Sequence, residues 1–433
     1  MSVLLEVREF DCIISNPDYR DDARYKYLKK EEFDKLVGFI EEYTATDDNA
    51  DALSFMQVSF RHPVGQVVTI KNYVGLIQFD DGSQIQILPK ISFDTEEDLN
   101  TRTKKTFIKM LRSLKDFPSK VFTDSFLKVE SMTLYELFIN MYLQEVRQLV
   151  KKGIKSNYVT HEDNLMFFKG KFMLNEHIKK NLAHHERFYL SYDEFNPDTS
   201  ENKLIKATLQ KLQRITTSIE NSKEIRQLLV SFEMVEPSKN YEKDFAKVTI
   251  NRSNIEYDNI MRWSKVFLLN KSFSTFSGKT TSRALLFPME TVFESYVAKE
   301  VRKVMAPSNW EVTLQDKGYY LFSEPKHKFA LRPDIVLRKG DRTVILDTKW
   351  KELCNNERDN YGISQSDMYQ MYAYSKKYET PEIWLLYPIN EEMRGNTTIS
   401  FKSDDGTVVS VYFVDVAEIE SSLTKLRNVI DSE

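Results

Sequence analysis

The sequence predicts a multidomain α+β protein with a β-rich N-terminal module, a mainly helical middle and an α/β core at the C-terminal end. Three patterns lead there. Short strand-forming runs separated by turn residues fill roughly the first 95 positions. Apolar residues at helical spacing run through 101–152 and again through 202–219. Beyond 289, helical and strand-like runs alternate. These patterns divide the chain into 1–98, 99–270 and 271–433, and the Ser/Thr/Gly-rich stretch 272–282 is the clearest boundary.

A length of 433 residues leaves room for two or three domains. A hydrophobic content of 41% with 29% charged residues is that of a soluble globular protein. The net charge of −4 offers no global basic field, so a nucleic-acid contact has to be a local patch. Two cysteines, Cys12 and Cys354, exclude a disulfide scaffold and a cysteine zinc cluster and fit a reducing, cytoplasmic compartment. The N-terminal residues show no signal-peptide pattern. No apolar run approaches the roughly 18 residues of a membrane span, so no membrane contact is expected. A Gly-x-x-x-x-Gly-Lys-[Ser/Thr] loop is missing, so nucleotide binding by that route is not expected.

In chain order, the β-rich module reads as a helix at 29–43, a polar loop at 44–51 and strands at 55–60, 67–70, 73–79 and 84–88. Asp80-Asp81-Gly82-Ser83 is the hairpin turn between the last two strands. The module is chemically quiet and suits partner docking. In the middle region, Lys151-Lys152-Gly153 ends a helix with cations and a glycine. His177, His184 and His185 stand without the carboxylates or cysteines that would complete a metal site.

Residues 289–305 form a helix candidate, with Val292, Phe293, Tyr296, Val297, Val301 and Val304 on one stripe. Strands or a hairpin are expected at 310–314 and 319–322, a helix capped by Ser364 or Ser366 at 364–378, and a buried strand at 382–387. Strands at 398–401 and 408–413 and a terminal helix at 417–430 close the chain.

The chemistry concentrates at 331–349. Arg338-Lys-Gly-Asp-Arg342 is turn chemistry between two short strands. With Gly340 and Asp341 as the two-residue loop, Asp334 faces Asp347, and paired Cβ atoms sit roughly 4.5–5.5 Å apart. Carboxylates that close repel unless a cation lies between them. Lys349 points to the same face as Asp347, and Thr348 to the other. Hard oxygen ligands suit Mg²⁺. A metal-bound water beside a lysine can attack a phosphodiester, while metal and lysine neutralise the developing charge.

Pro333-Asp334 and Asp347-Thr348-Lys349 resemble the PD-(D/E)xK nuclease signature, filling it without a gap. That family's core runs helix, three strands, helix, strand, and the flanking elements come in that order. The resemblance implies a third acidic ligand from the helix at 289–305. Glu290 and Glu294 lie there one turn apart; Glu294 is favoured and Glu290 stays open. Gln370 and Tyr374, at i and i+4, resemble the Gln-x-x-x-Tyr accessory motif of RecB-like nucleases, which supports the site and backbone binding. By resemblance, the catalytic set is Asp334, Asp347, Lys349, Glu294 and Gln370. Mg²⁺, with Mn²⁺ as a substitute, would be held by Asp334, Asp347, Glu294 and Thr348.

Other stretches resemble the McrC family over about residues 70–390. They are Tyr73-Val-Gly-Leu-Ile77 with Ile85-Gln-Ile-Leu-Pro-Lys90, Glu201-Asn-Lys-Leu-Ile-Lys206, Pro288-Met-Glu-Thr-Val-Phe-Glu294 and Asp367-Met-Tyr-Gln370. The resemblance implies the endonuclease subunit of a modification-dependent or related restriction system, cutting double-stranded DNA, methylated or unmethylated. It also implies an McrB-like AAA+ GTPase ring as partner, stimulated by the N-terminal part of this chain. Two other readings stand beside it. One is a non-cutting DNA-binding adaptor that activates a partner NTPase, against which the intact Asp334, Asp347 and Lys349 argue. The other is a standalone defence or repair nuclease, against which the long N-terminal portion argues.

Overall fold

The computed structural model of the chain describes residues 3–46, 55–79, 83–93, 98–115, 117, 132–252, 254–269, 283–324, 326–395 and 398–432. Most of the polar loop expected at 44–51, the turn at 80–82 and the boundary stretch 272–282 lie outside those residues.

The first part of the chain comprises β1 (Val3–Arg8), β2 (Cys12–Ile14), β3 (Tyr25–Tyr27), α1 (Lys30–Thr46), β4 (Met56–Arg61), β5 (Gly65–Ile70), β6 (Tyr73–Gln78), β7 (Gln84–Leu88) and α2 (Leu99–Leu111). Next come α3 (Leu134–Lys152), β8 (Asn157–Leu165), β9 (Lys171–Phe172), α4 (Leu174–Lys180), β10 (Phe188–Asn196), α5 (Ser200–Ile215), α6 (Ile219–Ser231), α7 (Tyr241–Lys247) and α8 (Tyr257–Leu269). The last part begins with β11 (Arg283–Pro288), α9 (Met289–Met305), β12 (Glu311–Leu314), β13 (Tyr320–Phe322), β14 (Lys328–Ala330), β15 (Ile335–Lys339) and β16 (Arg342–Thr348). It ends with α10 (Gln365–Tyr378), β17 (Glu382–Pro388), β18 (Thr398–Lys402), β19 (Val408–Val414) and α11 (Ile419–Ser432).

Contacts group the chain into two units, 118–277 and 3–117 together with 278–433. The stretch expected as a separate N-terminal module therefore shares a unit with the C-terminal α/β stretch. The reason is a strand pairing between residues some 200 positions apart. β11 runs antiparallel to β6 from Arg283↔Gln78 to Pro288↔Tyr73, completing a four-stranded sheet of order β1-β7-β6-β11. Gly75 permits it: with φ at 144°, a Cβ there would lie 1.8 Å from the Leu285 carbonyl oxygen.

The core of this unit is a six-stranded sheet of order β12-β15-β16-β17-β19-β18. β15 and β16 are antiparallel, while β16, β17 and β19 run parallel. Val344, Ile345 and Leu346 are all fully buried, the continuous apolar run of a strand covered on both faces. Alternate residues separate the two layers. Val336, Ile345, Ile383 and Leu385 pack with Met371, Tyr374 and Tyr378 of α10. On the other face, α9 packs against β16 and α11 against α9 and β19. The stripe read from sequence is the buried face of α9, with Val292, Phe293, Val297 and Val301 inaccessible to solvent.

The other unit is built on α3, α5, α6 and α8, with Phe138, Tyr142, Trp263 and Phe267 in mutual ring contact. Buried Glu136 accepts hydrogen bonds from Thr216, Thr217 and Asn221, which satisfies its charge. β8 and β10 form a long antiparallel ribbon, to which β9 pairs and against which α4 packs. His177 stacks on Phe188 and bonds Asn181, a packing role. Among the described residues, no helix is long and apolar enough to cross a membrane.

Candidate active site

The site lies where β15 begins and β16 ends. Gly340 takes a φ of 59°, the positive value a two-residue hairpin turn needs at its first position. The register that follows runs from Lys339↔Arg342 to Ile335↔Leu346, so Asp334 and Asp347 are the next residues beyond the last pair on each side. Asp347 is 1% exposed. It shares a face with Ile345, so it points toward α10, as does Lys349 beyond it.

Lys349 Nζ donates to Asp347 Oδ2 and, at 3.3 Å, to Gln370 Oε1. Gln370 is set by its own amide, which donates to the Tyr374 hydroxyl at 2.7 Å. Ser364 supplies the cap of α10, accepting from the Asp367 N–H. The accessory pair on α10 thus reaches the hairpin through the lysine.

Asp334 is held differently. Its Oδ2 accepts both the N–H and the hydroxyl of Thr348, at 2.8 and 2.6 Å. Strand alternation puts Thr348 on the opposite face from Asp347, yet its hydroxyl reaches Asp334, which precedes β15 and is not confined by its pleat. The other oxygen, Oδ1, accepts from Gln315 Nε2 at 3.3 Å, and the same amide donates to Glu294 Oε1. Gln315 therefore ties the α9 glutamate to the hairpin carboxylate. Glu290, one turn earlier, accepts from Asn72 at 3.0 Å instead.

Electrostatics follow from this crowding. Burial, then repulsion from Asp334, pushes the Asp347 carboxyl up to about 7 despite Lys349. Burial and the Asp334 charge likewise raise Glu294 to about 7. Asp334 is also raised, by burial working against its two bonds from Thr348. Burial opposes the Lys349 charge, but the Asp347 carboxylate prevails and lifts its pKa above the usual lysine range. Three carboxyls thus share a half-buried space with one ammonium.

Among the described residues, no three His, Cys, Asp or Glu side chains stand close enough to hold a metal as they are. Lys349 occupies Asp347, and Gln315 lies between Asp334 and Glu294. The donor set nevertheless fits a hard divalent cation. All donors are oxygens, and three buried or half-buried carboxyls stand against one ammonium.

The structure thus brings together Glu294, Asp334, Asp347, Thr348, Lys349 and Gln370. Sequence reasoning missed Gln315, an exposed amide at the end of β12 with φ at 50°, and no sequence pattern marks it.

A family model described as "McrBC 5-methylcytosine restriction system component" matches residues 68–388. No protein of curated function matches the chain. Among solved structures, the chain is similar to a refined half-complex from a tetradecameric assembly of Thermococcus gammatolerans McrB AAA+ hexamers with bound McrC. The TM-score is 0.71 at 21% identity, over 98% of this chain and 99% of that one. The cryo-EM structure of the Thermococcus gammatolerans McrBC complex gives a TM-score of 0.47 at 23% identity, over 70% of this chain and 88% of that one. The first likeness shows that the fold is shared over nearly the whole length of both chains. The family match spans roughly three quarters of the sequence, and the chain belongs to the McrBC 5-methylcytosine restriction system component family.

Proposed function

We propose that this chain is the DNA-cutting subunit of an McrBC-type restriction system, a Mg²⁺-dependent endonuclease built on a PD-(D/E)xK core. The observation that carries the reading is the convergence of Glu294, Asp334, Asp347 and Lys349 at one end of the six-stranded sheet, joined through Gln315 and the lysine. The element order α9, β12, β15, β16, α10, β17 supports the core assignment.

Glu294, Asp334 and Asp347 would hold the cation, with Thr348 beside them. Bound there, Mg²⁺ supplies Lewis-acid charge for the scissile phosphate and its attacking water. Thr348 fixes the rotamer of Asp334, and Gln315 keeps Glu294 within reach of it. Lys349 places a point charge against the phosphate, and Gln370, steadied by Tyr374, aims it.

The partner we propose is an McrB-like AAA+ GTPase ring, whose turnover this chain stimulates; the McrC neighbour is bound to McrB AAA+ hexamers. The unit of residues 118–277 supports such a contact, because Met166, Phe167, Phe168, Leu174 and Leu182 are exposed at the ribbon and α4.

The test combines the purified chain with the motor, GTP, Mg²⁺ and methylated or unmodified duplex DNA. Cleavage is expected from the wild type and is lost in Asp334→Ala and Asp347→Ala, with circular dichroism unchanged. Normal cleavage by either variant would overturn the assignment.

A further inference from the structure

The six-stranded sheet is interrupted between β12 and β15 by an excursion that belongs to no other layer. Among the described residues, β13 and β14 pair only with each other, Tyr320↔Ala330 and Phe322↔Lys328. A lone two-stranded hairpin is marginal in water. This one is anchored at its base, where Leu331 N–H donates to the Tyr319 carbonyl at 2.9 Å and the Tyr319 ring lies 4.3 Å from that of Tyr378 on α10. Beyond the base it is open to solvent. Phe322 is 55% and Phe329 72% exposed, with ring centroids 6.0 Å apart.

Its charge is unlike that of the whole chain. Lys317, Lys326 and Arg332 flank the two strands and Lys328 opens β14, Glu324 is the acid between them, and the chain as a whole carries −4. Among the described residues, none of those four cations forms an ion pair with an acid of the chain. Cations kept free of partners next to exposed rings are the composition of a nucleic-acid contact: phosphates for the cations, bases or sugars for the rings. The excursion leaves from Gln315 and returns at Asp334, both members of the site. Whatever the hairpin grips is thereby held beside the carboxylates.

From this the geometry points to the β13–β14 hairpin as a clamp on duplex DNA flanking the phosphate to be cut. Lys326 and Lys328 track the backbone, and Phe322 and Phe329 press against the groove. The inference deepens the nuclease reading and rests on it for the position of the cut, but DNA affinity reads the clamp independently of cutting.

The experiment uses the full chain with its motor and GTP. It measures affinity for a fluorescent 30-base-pair duplex at several salt concentrations, alongside cleavage. Lys326→Ala/Lys328→Ala should weaken binding about tenfold and reduce the log–log salt slope by about 2. Phe322→Ala/Phe329→Ala should weaken binding with the slope unchanged, since it removes no charge. GTP turnover should stay at the wild-type value in both. Wild-type affinity and slope in both double variants would overturn the clamp, whether or not the protein cuts. Lost GTP stimulation with DNA affinity intact would also overturn it, by assigning the surface to the protein partner. Failure of the wild type to cut, with the salt-slope change intact, would refute the nuclease reading and leave the clamp standing.

Discussion

Asp347→Asn should make the metal-free protein more stable at alkaline pH. The Asp347 carboxyl sits at about 7 rather than the ordinary 3.8. Held ionised at pH 8, that displacement costs the fold about 4 kcal/mol at roughly 1.4 kcal/mol per pH unit. The sign follows from proton binding. Between about 4 and 7 the folded chain holds a proton that the unfolded chain has released, so stability is full at low pH and is lost as pH rises through 7. An asparagine removes the titration and still offers Lys349 an oxygen. The bond from Lys349 is already included in the value of about 7, so it is not subtracted again. The expected net is a few kcal/mol of stabilisation at pH 8, a rise of a few degrees in melting midpoint for a chain this long. Near pH 5 the gain should shrink to about 1–2 kcal/mol, because the folded carboxyl is then protonated and only the span from 3.8 to 5 still costs. Thermal melts from pH 5 to 8.5 in chelator read both. Added Mg²⁺ should then stabilise the wild type and leave the variant unmoved. If the variant melts below the wild type at pH 8, or if the difference does not change with pH, the crowding argument fails.

Three further outcomes follow from the same geometry. Lys349→Ala should bind its motor normally but lose at least about a hundredfold in single-turnover cleavage with Mg²⁺, since the point charge acts in a half-buried site. Glu294→Gln should lose cleavage by a similar factor while Glu290→Gln keeps it, because only Glu294 shares Gln315 with Asp334; equal rates for the two variants would contradict the division. Gly75→Ala should cost about 3 kcal/mol or more in stability, measured by denaturant titration, because its Cβ would overlap the Leu285 carbonyl.

What the sequence made legible was local. Gly340-Asp341 fixed the hairpin loop, and the loop fixed which residues face each other, so the register up to Ile335↔Leu346 followed from spacing alone. The Gln370–Tyr374 pair was legible for the same reason, since i and i+4 share a helix face. The choice between Glu290 and Glu294 was not, because it depends on two distant amides, Asn72 and Gln315, that no periodicity marks. The grouping of β6 with β11 was hidden likewise. Tyr73-Val-Gly-Leu-Ile77 could be matched as a signature, but what its glycine accommodates is a carbonyl some 210 positions away.

The N-terminal stretch looked chemically quiet, yet it also contacts the segment that follows the site lysine. Glu9, 1% exposed, accepts the Trp350 indole N–H at 2.9 and 3.2 Å through its two oxygens, and the Lys90 N–H at 3.1 Å. Burial pushes its carboxyl up to about 8. Trp350 directly follows Lys349, and its ring lies 5.2 Å from Phe293, which directly precedes Glu294. One indole, next in sequence to the lysine, thus meets the helix that carries the glutamate and the segment just after β1. An apolar side chain at position 9 would fill the space but leave the buried indole N–H without an acceptor, at a cost of about 1–3 kcal/mol. A carboxyl in a dry site is expensive. What it gains is a directional hold on the tryptophan, and through that ring on the elements bearing Lys349 and Glu294.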